Sequence, residues 1–145
     1  MKTYSHNYGK YELEKSTARL FSNVQNSLDS LQDYEGSGIK DEVEAIFDSW
    51  DKRGKNTEAM NLRYGYRRGQ VQSETQFGNV ARYYTDIMKL EKAYKEGEIK
   101  YGIYILPTKD RAKDIGSNIA NFEKARDELR EFRNIIEVPL VLYGI

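Results

Sequence analysis

At 145 residues, with 39% hydrophobic and 32% charged side chains, the chain has the size and composition of one folded globular domain, which excludes disordered and fibrous classes. It has no cysteine, so disulfide frameworks, thiolate nucleophiles and cysteine-based zinc sites are excluded too. Twenty-three basic residues balance 23 acidic ones, so only local patches can speak for or against a nucleic-acid partner.

The opening MKTYSHNYGKYELEK lacks the apolar centre of a signal peptide, and no apolar run reaches the length of a membrane span, so the expected location is cytoplasmic. His6, the single histidine, lies in this polar stretch and reads as solvent-exposed. Catalysis, if present, has to come from carboxylates, amides, lysines or a metal. From Lys10 to Leu31, the positions Leu20, Phe21, Val24, Leu28 and Leu31 follow helical spacing and predict one long amphipathic helix. YEGSGIK then breaks the chain at Gly36 and Gly38, and Val43, Ile46, Phe47 and Trp50 predict a second helix ending near Gly54. Within a single domain 1–145, residues 1–55 therefore read as a helical N-terminal part and 60–145 as an α/β core.

In that core, Leu62, Tyr64 and Tyr66 alternate, Gly69 interrupts, and Val71 to Phe77 continue, predicting two antiparallel strands. Asn79 is placed to cap a helix whose apolar face carries Val80, Tyr83, Tyr84, Ile87, Leu90 and Tyr94. EIKYGIYILP predicts a third strand ended by Pro107, and VPLVLYGI a fourth with the continuous apolar run of a buried strand. Between them lie a short helix near Asp110 to Ile115 and another marked by Ile119, Phe122, Ala125, Leu129 and Phe132. The alternation predicts an α/β fold, a small mixed sheet flanked by helices.

Glu74 and Gln76 are two apart on a predicted strand, so they project from one face. A carboxylate and an amide oxygen together suit a hard divalent cation such as Mg2+, which takes oxygen ligands and keeps several waters. An ordinary exposed polar strand face would carry the same pair. Arg63, Arg67 and Arg68 beside Tyr64 and Tyr66 suit phosphate and stacking contacts, and equally suit a solvated hairpin tip. Arg82, Lys89, Lys92 and Lys95, and Lys109, Arg111 and Lys113, read as solvated helix faces because acidic residues are interspersed among them.

QSETQFGNVARYYTDIMKL, followed by EIKYGIYILPTKDRAKDIGSNIANFEKA and VPLVLYGI, resembles the C-terminal half of the type II restriction endonucleases of the BamHI, BglII and BstYI group. The likeness covers Tyr64 to Ile145, in the order strand, Phe-Gly bend, helix, strand ending in Pro, Ser-Asn helix and terminal strand. It implies the PD-(D/E)xK nuclease core, with Mg2+ as cofactor and double-stranded DNA as partner. Carried onto this chain, Glu74 is the metal ligand and Gln76 the residue that positions the attacking water. The group's metal-binding Asp falls at Gly65, which offers no ligand; Glu44, Asp48 and Glu58 are candidate substitutes. The span from Gly54 to Gly65 is also shorter than in familiar members. The resemblance further implies a homodimer in which each protomer addresses half of a palindrome, with a GATC-like centre, and Arg67, Arg68, Asn79 and Arg82 are candidates for DNA contacts. Two alternatives stay open: an inactive DNA-binding protein of the same fold, and a non-catalytic helical interaction protein.

Overall fold

The computed structural model describes residues 1–36, 38–52, 54–57 and 62–145. Its first element is β1 (Lys2–His6), which pairs antiparallel with the last strand, β8 (Leu140–Gly144). The N-terminal part is therefore not purely helical. The first residues complete an edge of the sheet built by the last ones. His6 accordingly is 1% exposed, not solvent-exposed as its polar neighbours suggest, because alternation on this edge strand turns it inward.

The single helix expected from Lys10 to Leu31 is two helices, α1 (Gly9–Ser16) and α2 (Ala18–Asp29). Thr17 separates them: its φ of −140° is not helical, and its hydroxyl donates to the Leu13 carbonyl at 2.9 Å. Ser and Thr offer the backbone such local partners, which is why they interrupt helices that hydrophobic periodicity alone would continue. The next helix, α3 (Ile39–Ala45), ends well before Gly54. Phe47 and Trp50 lie beyond it in turns, and are buried because Phe47 stacks on Tyr66 at 4.9 Å and meets Trp50 edge-on at 5.0 Å.

The short strands β2 (Asp51–Lys52), β3 (Lys55–Thr57) and β4 (Leu62–Arg63) follow. Next come β5 (Tyr66–Arg68) and β6 (Val71–Thr75), an antiparallel hairpin whose turn needs the positive φ of Gly69, +56°. Then α4 (Val80–Lys95), β7 (Tyr101–Leu106), α5 (Lys109–Ile115) and α6 (Phe122–Glu131) lead to β8. The main sheet has the order β1-β8-β7-β6-β5-β2, and β3 pairs only with β4. Strands β6, β7 and β8 are parallel, the outer ones antiparallel, so the sheet is mixed as expected.

Both faces of β7 are buried, which explains its unbroken apolar run. Ile103 and Ile105 pack with Phe21, Leu28 and Phe47 on the α1–α3 side. Tyr104 and Leu106 pack with Leu90, Phe122 and Leu129 on the α4 and α6 side. Burying each such side chain contributes about 1.5–3 kcal/mol. Among the described residues no helix is long and apolar enough to cross a membrane.

Candidate active site

Strand β6 runs parallel to β7 with α4 as the crossover between them, and open α/β sheets place sites outside the carboxyl ends of such strands. Glu74 stands opposite Tyr104 in the register and shares its α4-facing side. Gln76 extends β6 by one bond, its N–H donating to the Ile105 carbonyl at 3.0 Å. The chain then bends at Gly78, and Asn79 caps α4 by accepting from the Ala81 N–H at 2.8 Å.

Glu74 is 3% exposed and Gln76 9%, so the pair is not an exposed polar strand face. Oε1 of Glu74 accepts from the Gln72 side-chain amide at 2.8 Å and from the Gly65 N–H at 3.0 Å. Oε2 accepts from the Lys89 ammonium at 2.9 Å. That ammonium also lies 2.7 Å from Oδ1 of Asp86 and donates to the Arg63 carbonyl at 3.0 Å. Asp86 Oδ2 in turn accepts from the Gln76 amide at 2.8 Å and from the Tyr104 hydroxyl at 3.2 Å. Gln76 Oε1 closes the array by accepting from the Gly78 N–H at 2.9 Å. Two carboxylates on different elements thus meet at one point.

Electrostatics follow from this burial. Desolvation pushes the Glu74 carboxyl up, to about 7; Lys89 opposes that rise and Asp86 adds to it. Desolvation alone would lower Lys89, but Glu74 and Asp86 together raise it above its ordinary value, so it stays an ammonium. The Tyr104 hydroxyl is held well above its usual value by burial and by Asp86. Shifted groups gathered in one buried cluster mark it as a candidate functional site.

Gly65 lies across from Glu74, at the position where the resemblance puts a metal-binding Asp. It presents an N–H to the carboxylate where an acid would present another oxygen. Of the substitutes expected from sequence, Glu44 and Asp48 do not join the cluster. Glu44 pairs with Lys40 and Asp48 with Lys52 at the surface, and Glu58 lies outside the described residues. The second buried carboxylate is Asp86, which sequence reasoning missed, as it missed Gln72 and Tyr104. Lys89 was expected on a solvated face and is buried instead. Its signal was legible: Asp86 and Lys89 are three apart and interleave with Tyr83, Ile87 and Leu90, so both fall on the core-facing stripe.

Of the expected DNA contacts, Arg67 is committed inward. It donates to Gln72 Oε1 at 2.9 Å, pairs with Glu98 at 2.7 Å and lies 4.1 Å above the Tyr64 ring. Arg68, Asn79 and Arg82 are exposed.

Among the described residues no group of three or more His, Cys, Asp or Glu is placed to hold a metal. Magnesium commonly takes only one or two protein carboxylates, completing its shell with water and substrate phosphate, so Glu74 with Asp86 is a chemically sufficient donor pair.

The family model described as restriction endonuclease BglII/BglIII matches residues 1–145. Among solved structures, the crystal structure of restriction endonuclease BglII complexed with a DNA 16-mer is similar at 15% identity with a TM-score of 0.74, over 99% of this chain and 74% of that one. The mixed sheet flanked by helices is the fold of that enzyme. A search of curated proteins finds no match.

Proposed function

Because the chain belongs to the BglII/BglIII restriction endonuclease family, whose members are DNA-cleaving hydrolases, we propose that it hydrolyses phosphodiester bonds of duplex DNA at the Glu74, Gln76 and Asp86 cluster, with magnesium as cofactor. The observation that carries this reading is the convergence of two buried carboxylates, both within 3 Å of Lys89 Nζ, at the carboxyl end of β6. Desolvating three charges in a domain of this size is costly, and natural sequences retain such costs where chemistry needs them.

In this reading Glu74 and Asp86 hold the cation, Asp86 supplying the carboxylate that Gly65 lacks. Bound magnesium supplies a water of lowered pKa and screens the charge of the scissile phosphate. Gln76 orients through hydrogen bonds only; an amide takes no proton, so the proton of the attacking water leaves to solvent or phosphate. Gln72 and Gly65 fix Glu74, and Tyr104 fixes Asp86, from the side away from the lysine.

The chain works as a single domain in the cytoplasm and as a homodimer, one protomer on each half of a palindrome, with a GATC-like centre. An exposed apolar groove lined by Tyr84, Met88, Phe132 and Ile135 on the α4 and α6 side supports self-association. Arg68, Asn79 and Arg82 are the proposed phosphate or base contacts; Arg67 positions Gln72 instead.

One observation favours a second reading. Oε1 of Glu74 is already held by the Gly65 N–H and Gln72, an arrangement that suits a fold kept for binding after cleavage is lost. Plasmid cleavage in magnesium and in EDTA, beside gel-shift titration of the same DNA, separates the two. Cutting only in magnesium supports the first reading; a specific shift without cutting supports the second. Neither cutting nor binding at low salt would leave the non-catalytic interaction protein as the remaining choice.

A further inference from the structure

Among the described residues the Lys89 ammonium has three oxygen partners: Glu74 Oε2 at 2.9 Å, Asp86 Oδ1 at 2.7 Å and the Arg63 carbonyl at 3.0 Å. Two carboxylate oxygens and a main-chain carbonyl form the donor set of a hard cation. The lysine side chain is 11% exposed, and Glu74 and Asp86 are buried around it. Left alone, those two desolvated carboxylates would repel each other, and a single positive charge at their meeting point removes that cost. Lys89 is well suited to supply it, since its compact ammonium sits on a flexible four-carbon stem that can bring the charge in or take it away.

We propose that Lys89 is a built-in placeholder for the divalent cation: its ammonium holds Glu74 and Asp86 together in the metal-free chain and must leave that point for a metal ion to enter. Ammonium and metal are mutually exclusive there, because they need the same two oxygens and repel each other at such range. The inference rests on the reading of Glu74 and Asp86 as metal ligands. It makes the lysine a competitor of the metal and not one of its supports. Removing the lysine should therefore tighten metal binding while weakening the metal-free fold.

Manganese alone is the probe, titrated onto wild type, Lys89→Met, Lys89→Arg and the double variant Lys89→Met with Asp86→Asn. Bound ion is read by the loss of the free Mn2+ resonance, and thermal unfolding is followed with and without the ion. Lys89→Met should bind one Mn2+ about tenfold or more tighter than wild type. Its unfolding temperature should fall in EDTA and recover more than that of wild type when Mn2+ is added. Lys89→Arg keeps a cation at the point and should show no tightening, and the double variant should lose the gain. If Lys89→Met, folded in Mn2+, binds the ion no more tightly than wild type although Asp86→Asn or Glu74→Gln weakens it, the placeholder is overturned and the ligand reading stands. If neither carboxylate substitution changes Mn2+ binding, the ligand reading fails with it.

Discussion

The ammonium of Lys89 lies 2.9 Å from Oε2 of Glu74, with the two side chains 11% and 4% exposed. A buried pair of this kind is costly to break from one side. Lys89→Met strands two carboxylates in a desolvated site and should cost about 3–5 kcal/mol of metal-free stability. Glu74→Gln keeps hydrogen-bonding capacity and leaves Asp86 to balance the lysine, so its loss should be smaller. Urea denaturation in EDTA measures both, and equal losses would contradict the placement of Lys89 between two acids.

Gly65 is held by what surrounds it. A Cβ there would stand 2.8 Å from the Ser73 carbonyl oxygen and 3.0 Å from Glu74 Oε2, so the main chain has to shift to admit any side chain. Gly65→Ala should lose about 1–3 kcal/mol to overpacking. Gly65→Asp should lose at least as much in EDTA, since it adds a like charge beside Glu74. A Gly65→Asp protein more stable than wild type without metal would mean that the bend before β5 is looser than described.

His6 gives the fold a pH dependence of its own. Its Nε2 meets the Ile136 carbonyl at 2.7 Å, while Nδ1 is buried without a hydrogen-bond partner among the described residues. Desolvation therefore lowers its pKa below 6.5, against the opposing pull of the Ile136 carbonyl and Glu91. With the folded value below the unfolded one, His6 contributes stability that is complete above the unfolded pKa of 6.5 and is lost as pH falls through the lowered folded value. Urea midpoints of wild type should fall more steeply than those of His6→Gln across that acidic window. Parallel slopes would show that folding leaves the proton affinity of the ring unchanged.

Asn79 and Arg82 separate stability from DNA contact. Asn79 caps α4, so Asn79→Ala should cost about 1 kcal/mol, whereas Asn79→Asp preserves the cap and favours the helix N-terminus. If the residue also faces phosphate, Asn79→Asp weakens DNA binding at unchanged stability. Arg82→Ala should leave the unfolding temperature unchanged and reduce the salt dependence of DNA binding by about one counterion per contact. An unaltered salt slope would remove Arg82 from the interface.

Periodicity made the fold legible where it was strong. Strand β6, the capped α4, the strand ending at Pro107 and the buried terminal strand all stand where spacing and turn residues put them, whereas the strand expected over Leu62, Tyr64 and Tyr66 is split between β4, which pairs with β3, and β5, which pairs with β6. It failed at Thr17, where a hydroxyl bonds the backbone inside an apolar stripe, and at β1, where a polar edge strand leaves no hydrophobic run. For the site, Glu74 and Gln76 were legible because a strand alternates faces. Asp86 and Lys89 were missed, because charged residues on an amphipathic helix are ordinarily assigned to water. Only their three-residue spacing within the apolar stripe marks them otherwise, and the structure turns that spacing into an ion pair across to β6.

The most direct test of the proposed centre is the rate of plasmid cleavage in magnesium by wild type and Asp86→Asn, at concentrations where gel shift shows both fully bound to DNA. With Asp86 as the second metal-holding carboxylate, wild type cuts, and Asp86→Asn is slower by about a hundredfold or more at equal DNA occupancy. Cleavage by Asp86→Asn at the wild-type rate would contradict the account and send the search for the missing acid elsewhere in the chain.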